Sequence, residues 1–374
     1  MSRIHVGEPR LVGNEERYVL EALRAGQLSQ AAFVREFELS FAKYVGRRHA
    51  LACANGTVAL HLALLAIGLE PGDPVLVPTL TYVATANAVA LAGGVPVLCD
   101  VDRSSWNIDP ADARRRLEAL RLVDRPAVGL LPVHLYGVPA PMGPLAALAD
   151  EFHLWTLEDA AEAIGATYAD VPAGALGLAA TFSFYGNKTL STGEGGMLVV
   201  DDDELARLAH LYRGQGQAPG RRYFHEVAGF NYRLGELAGA VGLAQLERVD
   251  WHVGERRRVA RFYRERLEAL RLARGLEWQQ APEHGVSGEW MFTVRIPDGF
   301  ARETVAEHML ARDIETRPAF VCMHSLPMYR GGDYAGGFPV AEDLSRRGLS
   351  LPTHAGLTTE DLERVAAALE AALS

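Results

Sequence analysis

Thr181-Phe182-Ser183-Phe184-Tyr185-Gly186-Asn187-Lys188-Thr189-Leu190-Ser191-Thr192-Gly193-Glu194-Gly195-Gly196 opens as an aromatic strand, delivers a lysine, and passes through a glycine-rich stretch into a second apolar strand at 196–200. The spacing leaves no room for a crossover helix, so the two strands are expected to form a hairpin-like pair. A lysine at the inner edge of a sheet is desolvated, and an amine that sheds its proton acts as nucleophile and base. The glycines let the chain double back close to a ligand. A plain hairpin has no use for such a lysine.

Upstream of this stretch, short apolar strands at 50–53, 74–77, 96–99, 128–131 and 154–157 alternate with helical patterns such as 58–67, 82–92 and 111–120. Continuous apolar strands separated by helices predict a mostly parallel sheet covered on both faces. The pattern changes near residue 248. A long arginine-rich helix at 253–272 is followed by a strand at 290–296, a helix at 301–311 and a strand at 314–317. A loop rich in Gly and Pro and a final helix at 359–372 complete the chain. The reading is α/β, with a large domain over 1–247 and a small C-terminal α/β domain over 248–374, a division that suits a chain of 374 residues.

Composition narrows the function. A formal net charge of −10 and no basic stripe argue against a nucleic-acid binder. The run Glu255-Arg256-Arg257-Arg258 reads as a solvated helix face. Cys53, Cys99 and Cys322 are scattered and odd in number, which fits neither a disulfide framework nor a zinc knuckle, and no metal is expected. Without an apolar leader or a spanning run, the expectation is a cytoplasmic protein off the membrane. Of 37 Lys plus Arg only two are lysines, Lys43 and Lys188. In a chain that uses arginine for generic positive charge, a surviving lysine points to chemistry that a permanently charged guanidinium cannot do. Lys43 sits at the end of an amphipathic helix and reads as surface; Lys188 does not.

Two further stretches bear on the site. Asn55-Gly56-Thr57 lies between a strand and a helix, where it serves either as a capped turn or as a phosphate-binding helix start. In Leu157-Glu158-Asp159-Ala160-Ala161-Glu162 the acids follow a buried strand. They either decorate a helix N-terminus or place a carboxylate at the sheet edge where ligands bind. Gly214-Gln215-Gly216 lacks the strand–helix setting and the third glycine of a nicotinamide-binding loop.

Ser183-Phe184-Tyr185-Gly186-Asn187-Lys188 with its trailing Gly193-Glu194-Gly195-Gly196 resembles the cofactor-lysine motif of the DegT/DnrJ/EryC1/StrS family. These are sugar aminotransferases that use pyridoxal 5'-phosphate (PLP) and have the aspartate-aminotransferase fold, fold type I. The resemblance covers nearly the whole chain and includes Asn55-Gly56-Thr57, 78–87, 158–165, Asn231-Tyr232-Arg233 and Glu315-Thr316-Arg317-Pro318. It implies that Lys188 forms the Schiff base with PLP and that Asp159 keeps the pyridine nitrogen protonated, so that the ring draws electrons. Glu162 stands near the ring hydroxyl, where many members have Gln. Gly56, Thr57 and Ser183 contact the phosphate, and Tyr82 stacks on the ring. Asn231 contacts the phosphate of the neighbouring subunit, so a homodimer with shared active sites is implied.

L-glutamate is the implied donor and a nucleotide-linked keto sugar the acceptor. The resemblance at 182–197, 214–216, 222–225, 229–233, 314–320 and 324–329 is to members that act on GDP-4-keto-6-deoxy-D-mannose and implies that acceptor, with Arg317 and His324 as candidate substrate contacts. Another nucleotide-linked keto sugar or a keto-cyclitol is the alternative, and the segment 26–32 departs from the usual form. A sugar dehydratase of the same fold would carry histidine in place of Lys188. A non-catalytic regulatory protein would have no need of Lys188, Asp159 and Ser183 together. Lys188→Arg keeps the charge but cannot bond to the cofactor. It is expected to be as inactive in steady-state transamination as Lys188→Ala; turnover in Lys188→Arg would overturn the assignment.

Overall fold

The computed structural model describes residues 3–331 and 337–374. Met1, Ser2 and part of the Gly- and Pro-rich loop, both included in the reading above, lie outside the described residues. Two helices, α1 (Glu15–Ala25) and α2 (Ala32–Val45), precede the sheet, and exposed Lys43 sits at the end of α2. The strands and helices then alternate as β1 (His49–Cys53), α3 (Gly56–Ile67), β2 (Pro74–Pro78), α4 (Ala84–Leu91), β3 (Val95–Cys99), α5 (Pro110–Leu122), β4 (Gly129–Leu130), α6 (Met142–Phe152) and β5 (Trp155–Asp159). Short β6 (Thr167–Tyr168) and β7 (Val171–Pro172) lead into β8 (Ala179–Ser183) and β9 (Gly196–Val200), followed by α7 (Asp203–Arg213) and α8 (Glu236–Leu246).

The main sheet has seven strands in the order β1-β9-β8-β5-β4-β2-β3. Only β9 runs against the others, paired antiparallel with β8 and β1. The expected pair is therefore present. Its first strand, though, ends at Ser183 rather than 185, and Lys188 lies on the returning loop. The β8–β9 register runs out at Ser183 opposite Gly196. A Cβ on Gly196 would overlap the Asn55 carbonyl, so the end of the ladder packs directly against the start of α3. The alternation still carries Phe182 and Phe184 to one face, where both are buried. Their rings meet Phe41 at 4.9 and 5.4 Å, and Phe184 meets Phe37 at 5.1 Å. This aromatic cluster anchors the lysine loop to α2.

The rest of the chain comprises α9 (Val249–Arg274), β10 (Glu277–Trp278), β11 (Gly285–Val286), β12 (Phe292–Arg295), α10 (Arg302–Leu310), β13 (Arg317–Pro318), α11 (Pro339–Arg347), β14 (Gly348–Leu351) and α12 (Thr359–Ala372). Four of its strands form an antiparallel sheet ordered β10-β12-β14-β13, and β11 joins β6 and β7. β14, inside the sheet, and α11 both fall in a stretch that the sequence pattern left as loop. The expected strand at 314–317 is reduced to Arg317–Pro318, because Ile314 pairs instead with Ile4 of the N-terminal arm. That arm thereby joins the apolar cluster of the second sheet, which also holds Tyr263, Leu267, Phe292 and Leu369.

α9 runs past both clusters. Val249 and Val253 pack against the first sheet, and Val259, Tyr263 and Leu267 against the second. Among the described residues no helix is long and apolar enough to cross a membrane. Phe184→Ala should remove the keystone of the aromatic cluster and destabilise the fold by about 3–5 kcal/mol, read as a lowered urea midpoint with an unchanged slope.

Candidate active site

In open α/β sheets, ligands collect at the carboxyl ends of the strands. Here β5 ends on Asp159 and β8 on Ser183, while β1 ends on Cys53, directly before α3. The register aligns Cys53 and Ser183 on either side of Gly196, which brings the first turn of α3 beside Ser183. Asn55 caps that turn by accepting from the Val58 N–H at 3.0 Å, and no acid lies in it. The amides of Gly56 and Thr57 lack intrahelical acceptors, and the helix dipole there is unneutralised. Capping by Asn55 thus leaves this helix start suited to an anion.

These elements wall a cavity of about 670 Å³. Gly56, Thr57, Tyr82, Asp159, Glu162, Ser183, Lys188 and Arg317 all line it. Asn231 and His324 are not among its lining residues. Asn231 is exposed on the segment that returns after α7, bridged to Gly214. His324 bonds Thr79 Oγ1 at 2.8 Å, lies 3.3 Å from Glu342 and stacks on Phe338, bordering a separate hollow.

Within the cavity the Lys188 Nζ lies 3.2 Å from Glu162 Oε1 and 3.9 Å from the centre of the Trp290 ring. The second oxygen of Glu162 accepts from the Tyr136 N–H at 2.7 Å. Tyr136 has φ 56°, a strained setting for a large side chain. Its buried ring, stacked with Trp290 and close to Phe320, holds it there. Burial pushes the Glu162 carboxyl above its usual range, against the pull of the Lys188 charge.

Asp159 accepts from Thr85 Oγ1 at 2.8 Å and from the Ala161 N–H at 3.2 Å. Neither partner is charged, and burial pushes its pKa up as well. A buried carboxylate of this kind calls for a cation beside it. The cavity thus offers an amine, an acid suited to a protonated ring nitrogen, an aromatic at Tyr82 and a helix start with free amides. That donor set fits pyridoxal phosphate.

Glu158, adjacent to Asp159, faces away from the cavity and is fully buried. It accepts from the Gly174, Leu176 and Gly177 N–H groups at 2.8, 2.7 and 2.7 Å and from His134 Nε2 at 2.9 Å. His134 Nδ1 in turn accepts from the Ala140 N–H, which places the proton on Nε2. The two acids at the end of β5 therefore divide, one serving the cavity and the other stapling loops.

Sequence reasoning missed Tyr136 and Trp290, which carry no motif, and misread Arg256. Its run was expected to be a solvated face. Arg258 does pair with Glu255, but Arg256 is 3% exposed and bonds four backbone carbonyls. Successive residues on a helix point about 100° apart, so three consecutive arginines cannot all face solvent on a helix packed on both sides.

This fold, with its cavity lysine and buried acid, defines a PLP-dependent aminotransferase of fold type I. The chain belongs to the DegT/DnrJ/EryC1/StrS aminotransferase family, whose pattern it matches over residues 9–370. It is 46% identical over 376 aligned positions to the GDP-perosamine synthase of Caulobacter vibrioides, covering 100% of this chain and 99% of that one. The GDP-perosamine synthase of Escherichia coli O157:H7 is 37% identical, covering 97% and 96%. Among solved structures, DesV of S. venezuelae superposes with a TM-score of 0.89 at 34% identity, covering 96% and 95%.

Burial alone would raise the pKa of Glu158, but its bonds to His134 and the Gly174 and Gly177 amides hold it below the ordinary 4.5. A depressed folded-state pKa contributes stability above the unfolded value and loses it as pH falls through the folded one. Urea unfolding at stepped pH should therefore show stability declining below about pH 4.5. Glu158→Gln should start about 1–3 kcal/mol lower at neutral pH and lose less on acidification.

Proposed function

We propose that this protein transfers the amino group of L-glutamate to C4 of GDP-4-keto-6-deoxy-D-mannose, giving GDP-perosamine. The observation that carries the reading is the convergence of the Lys188 amine and the buried Asp159 carboxylate in one cavity. It occurs in a chain matched end to end with GDP-perosamine synthases. When bound, PLP supplies a ring that draws electrons from the carbon whose C–H bond is broken.

With PLP bound, Lys188 would be the residue that bonds to it, and its amine, once exchanged for the donor amine, would take the proton from the donor α-carbon and, in the second half of the cycle, return a proton to C4 of the sugar. Glu162, 3.2 Å away, holds that amine over the cavity. Asp159 would hold the proton on the ring nitrogen, Gly56, Thr57 and Ser183 would hold the phosphate, and Tyr82 would pack on the ring. Arg317, from the second sheet, offers a guanidinium to an anionic group of either substrate, the glutamate carboxylate or the diphosphate.

Asn231 reaches the phosphate of a second copy, so the working unit is a homodimer with shared sites. That role agrees with its exposure outside its own cavity. Residues 1–247 form the cofactor domain and 248–374 the smaller one, and the enzyme works in the cytoplasm. His324, bonded to Thr79 outside the cavity, supports the wall rather than touching the sugar.

Incubation with PLP, L-glutamate and GDP-4-keto-6-deoxy-D-mannose should yield a GDP-amino-dideoxyhexose by mass spectrometry, with nitrogen at C4 by NMR. Parallel double-reciprocal lines are expected, because both half-reactions use one pocket. No sugar product alongside normal conversion of glutamate to 2-oxoglutarate would keep the aminotransferase and discard this acceptor, turning the search to other keto sugars and keto-cyclitols.

A further inference from the structure

Arg256 is a buried guanidinium with no carboxylate among its described partners. One terminal nitrogen, Nη1, donates to the Trp290 and Thr353 carbonyls at 2.7 and 2.6 Å. The other, Nη2, donates to the Asn187 and Lys188 carbonyls at 3.3 and 3.2 Å. Burial lowers its pKa to about 10. A buried cation without a counter-charge is costly, and a site that needed only packing would be served as well by an apolar side chain. What the guanidinium adds is a rigid planar set of donors able to hold several carbonyls in fixed relation.

Two of the carbonyls it holds belong to the lysine loop, one to Trp290 and one to Thr353, just past β14. Trp290 Nε1 donates back to the Asn187 carbonyl at 2.9 Å, so the indole is fastened to the same loop. Its ring then presents its face 3.9 Å from Lys188 Nζ, on which a cationic amine rests favourably. The charged groups facing that amine are Glu162 at 3.2 Å and, beyond it, Asp159.

We propose that Arg256 is a positioning residue for the Lys188 amine, acting through Trp290. One guanidinium fixes both the backbone of the lysine and the ring against which its amine is berthed when not bonded to the cofactor. This rests on Lys188 being the cofactor lysine and is independent of which sugar is aminated.

The test uses the full-length protein with Arg256→Lys, which keeps the charge but loses the planar fork, and Trp290→Phe, which loses the indole N–H. Two ligands are compared. PLP is captured covalently by Lys188, its aldehyde oxygen leaving as water, and capture is followed by the change in cofactor absorbance. Pyridoxamine phosphate has no aldehyde for Lys188 to attack and reports the rest of the pocket, its affinity being read by calorimetry.

Arg256→Lys should slow PLP capture by roughly tenfold or more, and Trp290→Phe by a smaller factor. Affinity for pyridoxamine phosphate should stay within about twofold. Equal losses for both ligands, or no loss for either, would overturn the proposal. If circular dichroism shows that Arg256→Lys does not fold, Trp290→Phe decides by the same comparison. A native protein that captures no PLP would overturn the cofactor-lysine reading itself, and with it this proposal.

Discussion

A single amine held among buried carboxylates is the constraint around which this structure is arranged. Lys188 Nζ lies 3.2 Å from Glu162, and Asp159 shares the cavity wall with it. Burial of both acids raises the free energy of their charged forms, so each is stable only beside a cation or a strong donor. Lys188 serves Glu162 directly. Asp159 has only a hydroxyl and an amide, and a protonated ring nitrogen would complete its shell. Cofactor binding and the electrostatics of the cavity are thus two sides of one arrangement.

The sheet brings these groups together. Parallel strands end on one edge, so β5 and β8 deliver Asp159 and Ser183 to the same rim. The antiparallel β9 has a separate effect. Because its first residue stands opposite both Cys53 and Ser183, the lysine loop must return beside the start of α3, where phosphate binding is expected. An all-parallel sheet would have carried the chain away through a crossover helix. The aromatic cluster of Phe37, Phe41, Phe182 and Phe184 holds the loop from behind.

The second half of the chain closes the cavity from the other side. Trp290, Phe320 and Arg317 line it, and Arg256 ties Trp290 to the lysine loop from α9. The Tyr136 hydroxyl accepts from the Phe320 N–H, a link between the β4–α6 connection and the segment that carries Arg317. A movement of that segment would be felt at Tyr136 and so at the N–H that Glu162 accepts.

The sequence by itself determined the alternation of strands and helices, the reversed final pair of the main sheet, and Lys188 as the lysine to look for in the cavity. Continuous apolar strands, the short span between 185 and 196, and a lysine in an arginine-using chain are local signals. Tertiary structure alone decided the rest. β14 lacked a pattern because its neighbours in the sheet, β12 and β13, are distant in sequence. Asp159 and Glu158 are adjacent acids whose opposite roles depend on which side of β5 each faces and what packs there. Arg256 looked like one more surface arginine, since nothing local reveals which side of a two-sided helix is covered. Trp290 gained its meaning from the amine placed beside it by residues about a hundred positions away. Local patterning writes the backbone, whereas burial and partners, which set the energy of a charge, come only from contacts made across the fold.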